Sequence, residues 1–150
     1  MADSAPEDIE QELNVNFLVP VLLSRAFLPL LVRQPCAAIV NVSSGLALVP
    51  KEVAAMYCAS KAALHSFSTT LRWQLEDSNV RVFEVLPPLV ETAMTAGRGK
   101  GKISSAQLAQ EFWEGFKADR YEMLIGKTKL LSLVNRLAPS VAKKIMRRGL

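Results

Sequence analysis

AAIVNVSSGLALVPKEVAAMYCASKAALHSFSTTLRWQLEDSNVRVFEVLPP, residues 37–88, decides the fold. It opens on a short apolar run, Ala38 to Val42, rich in β-branched residues and closed by Ser43-Ser44-Gly45, the pattern of a buried parallel strand. A loop holding Gly45 and Pro50 follows. From Val53 to Glu76 strong helix formers dominate, and Ala63, Leu64, Phe67, Leu71 and Leu75 recur at helical spacing, which predicts a long helix. Asp77, Ser78 and Asn79 then turn the chain, and VRVFEVL reads as a second strand stopped by Pro87 and Pro88, which lack the N–H a ladder needs. Strand, helix and strand in this order make a βαβ unit with a parallel pair.

Working outward, the region from Asp8 to Val32 reads as another long, mostly apolar helix, with Ser4, Glu7 and Asp8 giving capping and acidic character to its start and Pro35 marking its end. Downstream, TAGRGKGKIS is glycine-rich, basic and without period, as a loop is. A helix capped near Ser104 or Ser105 follows, then a short third strand in YEMLIG, then helix from Lys127 with a break at Pro139. The expected architecture is α/β, one domain over residues 1–150, with a parallel sheet of about three strands flanked by long helices.

Composition narrows the function. The chain has 150 residues, 50% hydrophobic, and a formal net charge of +4, enough to bury a core. Its basic residues gather after Gly97 without aromatic interleaving, which argues against nucleic acid as a partner. Cys36 and Cys58 stand apart with no metal-ligand spacing, so neither a metal nor a disulfide framework is expected. The acidic start MADSAPEDIEQEL lacks the basic-then-apolar order of a secretory signal, and a cytoplasmic location is expected. Leu13 to Val32 is long enough to span a bilayer, but two Asn, two Pro, a Ser and an Arg interrupt it. An Arg near the centre of a lone span costs roughly 2.5 to 3.5 kcal/mol. A membrane partner is therefore not expected. The basic end AKKIMRRGL reads as a solvated helix tail, with a membrane-surface or interface role as a further reading.

Tyr57 and Lys61 lie four residues apart near the start of the second helix, so both side chains share one face. A phenol with a reference pKa of ~10 is a poor acid or base at neutral pH, and a neighbouring ammonium favours its phenolate. The pair alone is common on solvated helix faces. Its context is not: Ser44 stands at the carboxyl end of a strand, where open α/β sheets bind ligands. Ser43 is the competing hydroxyl, but alternation along a strand turns it to the opposite face.

The strand-end Ser44 followed thirteen residues later by Tyr57-x-x-x-Lys61 resembles the short-chain dehydrogenase/reductase family. LNVNFLVPVLL is similar to the family's helix bearing the active-site Asn, best aligned with Asn16 against the competing Asn14, and VRVFEVLPPLVETAM is similar to its strand and PGxxxT turn. The resemblance covers nearly all of the chain and implies a Rossmann-like sheet and a catalytic set of Asn16, Ser44, Tyr57 and Lys61. It further implies NAD or NADP as cofactor, contacted by Tyr57, Lys61, Pro87, Val90 and Thr92, and a small carbonyl or alcohol as substrate. In that scheme Tyr57 exchanges a proton with the substrate oxygen, Ser44 holds that oxygen, Lys61 lowers the Tyr57 pKa and holds the nicotinamide ribose, and Asn16 supports a water beside Lys61. The family's usual dimer also implies a homo-oligomer formed through the two long helices.

Two features depart from the family pattern. Pro88 stands where the turn has Gly, replacing a flexible residue by a rigid one without N–H. The string LPPLVETAMTAGRGKGKIS is similar to a subgroup, the DltE-type oxidoreductases, in which this Pro is expected. There is also no TGxxxGxG or GxGxxG turn and no NNAG segment, which in the family precede the first helix seen here. The resemblance thus implies a C-terminal catalytic part, with the main dinucleotide-binding half missing. The alternative expectation is an inactive fragment, or a subunit that docks through its long helices to cover an unpaired strand edge. His65 has neither a metal partner nor a Ser/Asp companion in the sequence pattern and is assigned no catalytic role. Ser60, Cys58, Trp73, Phe112 and Trp113 read as core or interface packing.

Overall fold

The computed structural model describes residues 5–97, 99 and 101–148; Ser4, read above as a capping residue, lies outside them. The chain starts with α1, Pro6–Leu13, whose Pro6 sits in the first turn, where no N–H partner is needed. The same helical run continues through a wider turn, Asn14–Leu18, into α2, Val19–Leu31. In that turn the Val19 N–H reaches back five residues to the Asn14 carbonyl. Pro20 gives the reason: it has no N–H for the Asn16 carbonyl and its ring needs room there, so the ladder widens around it. The long first helix expected from the sequence is therefore present, but with a π-type interruption that its apolar pattern does not announce.

β1, Ala37–Val42, then leads through a short 3-10 turn at Gly45–Ala47 into α3, Ala55–Gln74, and β2, Val80–Leu86. Ser104 caps α4, Ser105–Lys117, by accepting the Gln107 N–H at 3.1 Å. β3 follows at Glu122–Leu124, then α5, Thr128–Leu137, and α6, Pro139–Arg148. The break expected at Pro139 falls between α5 and α6. The three strands form one parallel sheet in the order β1-β2-β3, paired from Ala37↔Val80 to Val42↔Val85 and from Glu84↔Glu122 to Leu86↔Leu124. This is the expected α/β, Rossmann-like arrangement. β1 lies at the sheet edge, with no strand on its other side among the described residues.

Alternation along β2 builds two different layers. Phe83 and Val85 join Ile103, Met123 and Ile125 in a core covered by Phe112 and Phe116 of α4, each large side chain contributing roughly 1.5 to 3 kcal/mol by burial. The opposite face meets α3 and carries Val82, Leu86 and the fully buried carboxylate Glu84. The register sets Asn41, Glu84 and Glu122 side by side beneath α3, a polar row in an otherwise apolar layer. Asn41 Nδ2 donates to Ser68 Oγ at 2.9 Å, and His65 Nδ1 and Glu84 Oε2 lie 2.8 Å apart.

The C-terminal helices close a second core in which Val49, Ala142 and Met146 are buried among Leu46, Leu48, Leu131 and Val134. Gly45 permits this docking. A Cβ there would stand 2.8 Å from Thr128 Oγ1, so α5 can approach the turn after Ser44 only because residue 45 has no side chain.

Candidate functional site

The carboxyl end of β1 delivers Ser44 in an extended conformation at the start of the 3-10 turn. Its Oγ is buried and accepts the Leu46 N–H at 3.1 Å. A hydroxyl has one proton to give and two lone pairs, so that bond leaves its O–H to be donated. Ser43, by contrast, turns to β2, where its Oγ lies 3.4 Å from the Val85 carbonyl. Alternation therefore separates the two serines as the sequence reading expects.

Tyr57 stands in the first turn of α3, half-buried, with the Ser44 hydroxyl among the groups that act on its phenol. Burial pushes its phenol above the usual 10.0, the Ser44 hydrogen bond pulls the other way, and Cys58 and Glu12 add to the rise. The phenol is thus fully protonated at neutral pH. Lys61, one turn on, has its Nζ 5.8 Å from the centroid of the Tyr57 ring and donates to the Val42 carbonyl at 3.0 Å. Burial holds its ammonium below the usual 10.5. The bond to Val42 uses one of three N–H donors, which ties Lys61 to the same strand end that presents Ser44.

Asn16 sits in the π-type turn and donates from Nδ2 to Ser60 Oγ at 3.3 Å, while Ser60 Oγ donates to the Tyr57 carbonyl at 2.9 Å. A chain of two hydrogen bonds thus joins the first helix to the turn that carries Tyr57. Asn14 is exposed, with its carbonyl committed to Val19. Ser60, read from sequence as packing, is fully buried and is the link between Asn16 and α3.

The turn after β2 lies against this strand end, since the Gly45 N–H donates to the Pro87 carbonyl at 3.0 Å. Pro87 is buried, Val90 is half-buried and pairs with Ile103, and Thr92 is exposed. Thr92 and Thr95 form a reciprocal capping pair in which Thr95 Oγ1 accepts the Thr92 N–H at 3.0 Å and donates to the Val90 carbonyl at 2.6 Å. Thr95 was missed from sequence, although the Thr-x-x-Thr spacing is the signal for such a pair. The structure brings Ser44, Tyr57 and Lys61 together, sets Asn16 behind them, and holds Pro87 to the same strand end.

The second feature missed from sequence is the His65–Glu84 pair. Glu84 is inaccessible to solvent, its Oε2 faces His65, and its Oε1 has no partner among the described residues. The hydrogen bond with Glu84 raises the His65 pKa above 6.5, and burial opposes it. A carboxylate between Phe83 and Val85 in the apolar part of VRVFEVL was the available signal, because a buried carboxylate needs a partner. Trp73 and Trp113, 67% and 56% exposed, are surface residues and not core residues, whereas Phe112 packs against the core.

Chemically, the cluster offers a protonated phenol, a hydroxyl and an ammonium at one strand end. Such donors can hold and protonate one oxygen of a ligand.

Comparison with known proteins shows the family and the fold. The family model described as short chain dehydrogenase matches residues 1–102. An uncharacterized oxidoreductase, DltE of Bacillus subtilis, is 48% identical over 118 residues, covering 75% of this chain and 47% of that protein. The crystal structure of a short chain dehydrogenase from Burkholderia cenocepacia in complex with NADP superposes with a TM-score of 0.86 at 28% identity, over 91% of this chain and 58% of that one. A short chain dehydrogenase/reductase from Burkholderia phymatum in complex with NAD superposes with a TM-score of 0.81 at 19% identity, over 100% of this chain and 64% of that one, a likeness of fold alone. The chain thus spans about half the length of the curated relatives it matches, 47% for the Bacillus protein.

Proposed function

Because the chain belongs to the short-chain dehydrogenase family, we propose that it forms the catalytic part of an oxidoreductase that interconverts a carbonyl and a secondary alcohol with NAD or NADP. The observation that carries this reading is the meeting of the Ser44 hydroxyl, the Tyr57 phenol and the Lys61 ammonium at the carboxyl end of β1.

In the reducing direction Tyr57 holds its proton at Oη until the substrate oxygen takes it; the raised pKa keeps that proton in place at neutral pH. Ser44 donates its remaining O–H to the same oxygen and stabilises the negative charge that develops there. Lys61 keeps two donors beyond its bond to Val42, enough for two ribose hydroxyls, and its charge favours the phenolate that remains when Tyr57 has given up its proton. Asn16, through Ser60, holds the first turn of α3 in register with the first helix.

The donor set suits the nicotinamide end of a dinucleotide: an ammonium and a phenol for the ribose, with Pro87, Val90 and Thr92 in the turn bonded to Gly45. Bound there, NAD or NADP supplies the hydride, and that chemistry is the cofactor's own. Calorimetric titration with NADH and NADPH, followed by a carbonyl panel, tests the proposal. Failure to bind either cofactor together with no turnover refutes it.

The first helix motivates a second reading. Leu22, Leu23, Phe27 and Leu30 are 50 to 55% exposed on α2, an apolar face of the kind that a second chain covers. In this reading the two long helices dock a second copy, with or without catalysis. Light scattering that finds a stable, well-dispersed monomer argues against it. Cys36 and Cys58 are both free thiols, which accords with a cytoplasmic location.

A further inference from the structure

The strongest asymmetry of charge in the molecule lies far along the chain from the catalytic cluster. Residues 127–150, KTKLLSLVNRLAPSVAKKIMRRGL, hold seven of the chain's 18 Lys and Arg and none of its 14 Asp and Glu. The net +4 of the whole chain thus comes from this end, and the remainder is acidic.

α5 and α6 have an inner and an outer apolar side. Inward, Leu131, Val134, Ala142 and Met146 pack on Leu46, Leu48 and Val49. Outward, Leu130, Leu133 and Leu137 recur at i, i+3 and i+7 along one stripe of α5, 64, 52 and 74% exposed. Val141 and Ile145, four apart on α6, are 48 and 38% exposed. Lys129 is paired with Glu111 and Arg147 with Glu52, whereas Lys143 and Lys144 have no acidic partner among the described residues.

We propose that α5 and α6 form a docking surface for an anionic lipid bilayer, with the leucine stripe entering the acyl boundary and the unpaired basic side chains meeting the headgroups. A helix with apolar residues on one face and only positive charge on the other is suited to lie in such an interface. Charge complementarity selects this occupant: two helices that carry no carboxylate of their own are attracted to anionic lipid, whereas pairing this face with its copy would bring positive charge against positive charge. The contact is peripheral and does not involve α2. Its inner side packs on the turn after Ser44, so docking sets that turn one helix layer from the bilayer.

Co-sedimentation of the full chain with phosphatidylcholine vesicles, with and without about one-third phosphatidylglycerol, tests this. Binding is expected on the anionic vesicles alone and is expected to weaken strongly at about 0.5 M salt. Lys143→Gln with Lys144→Gln is expected to weaken it about fivefold per charge, roughly 25-fold together. Leu130→Ser with Leu137→Ser is expected to weaken it more than about tenfold. Circular dichroism checks that both variants keep the parent fold, and the two substituted sets report independently. No sedimentation with anionic vesicles overturns the proposal. So does equal binding to neutral vesicles, binding unchanged in both variants, which assigns the contact to the first helix, or a dimer in sedimentation velocity that Leu130→Ser and Leu137→Ser dissolve.

Discussion

Replacing His65 by leucine removes the one hydrogen-bond partner of the Glu84 carboxylate among the described residues. Breaking a buried ion pair by removing one member costs roughly 3 to 5 kcal/mol, because the remaining charge is left in a poor medium. His65 is 27% exposed and Glu84 wholly enclosed, so water can replace part of the lost partner. The expected loss for His65→Leu is therefore about 3 kcal/mol, the lower end of that range. The pH dependence has a definite sign. The Glu84 hydrogen bond lifts the folded-state His65 pKa above its unfolded value of 6.5. The pair's contribution is then fully present below pH 6.5 and declines as pH rises through the folded value. Urea unfolding of the wild type from pH 5.5 to about 9 should show this decline, and His65→Leu should lack it. His65→Leu combined with Glu84→Leu should regain most of the stability, since two apolar groups leave no stranded charge. A single substitution costing under about 1 kcal/mol, together with a flat wild-type profile, would refute the reasoning.

Gly45→Ala should cost about 1 to 3 kcal/mol, since its Cβ would crowd Thr128 Oγ1, and thermal unfolding reads this directly. Asn16→Ala removes the bond to Ser60 and should lower stability by about 1 kcal/mol in urea titrations, with Asn14→Ala near neutral by comparison. Absorbance titration of the ligand-free protein should find Tyr57 ionising above 10.0, a component missing from Tyr57→Phe. Ser44→Ala should slow any cofactor-dependent carbonyl reduction by roughly 10²- to 10³-fold, the usual cost of one donor to a developing oxyanion.

The strands and most helices were legible because each has a simple apolar pattern: the β-branched residues Ile39, Val40 and Val42 in β1, and a helical repeat from Ala63 to Leu71 in α3. The wide turn at Asn14–Leu18 was not, because it follows from one missing N–H at Pro20 inside a segment whose composition reads as uniform helix. Ser44, Tyr57 and Lys61 were legible from spacing, and the strand-end position of Ser44 follows from where β1 stops. The polar row was hidden for a different reason. VRVFEVL reads as a strand without showing what lies beside it, and only the register places Asn41, Glu84 and Glu122 together under α3. His65 looked idle because its partner lies 19 positions away on another element. Glu84 itself was the overlooked sign, a charge in the middle of an apolar strand.

The proposed reaction requires Tyr57 as the proton donor beside a nicotinamide cofactor. Hydride transfer from a deuterium-labelled NADH or NADPH to a carbonyl substrate, measured for the wild type and Tyr57→Phe, tests it most directly. Transfer by the wild type is expected, with a loss of roughly 10²- to 10⁴-fold in Tyr57→Phe at unchanged thermal stability. Equal rates in the two proteins, or no transfer by the wild type, would contradict it.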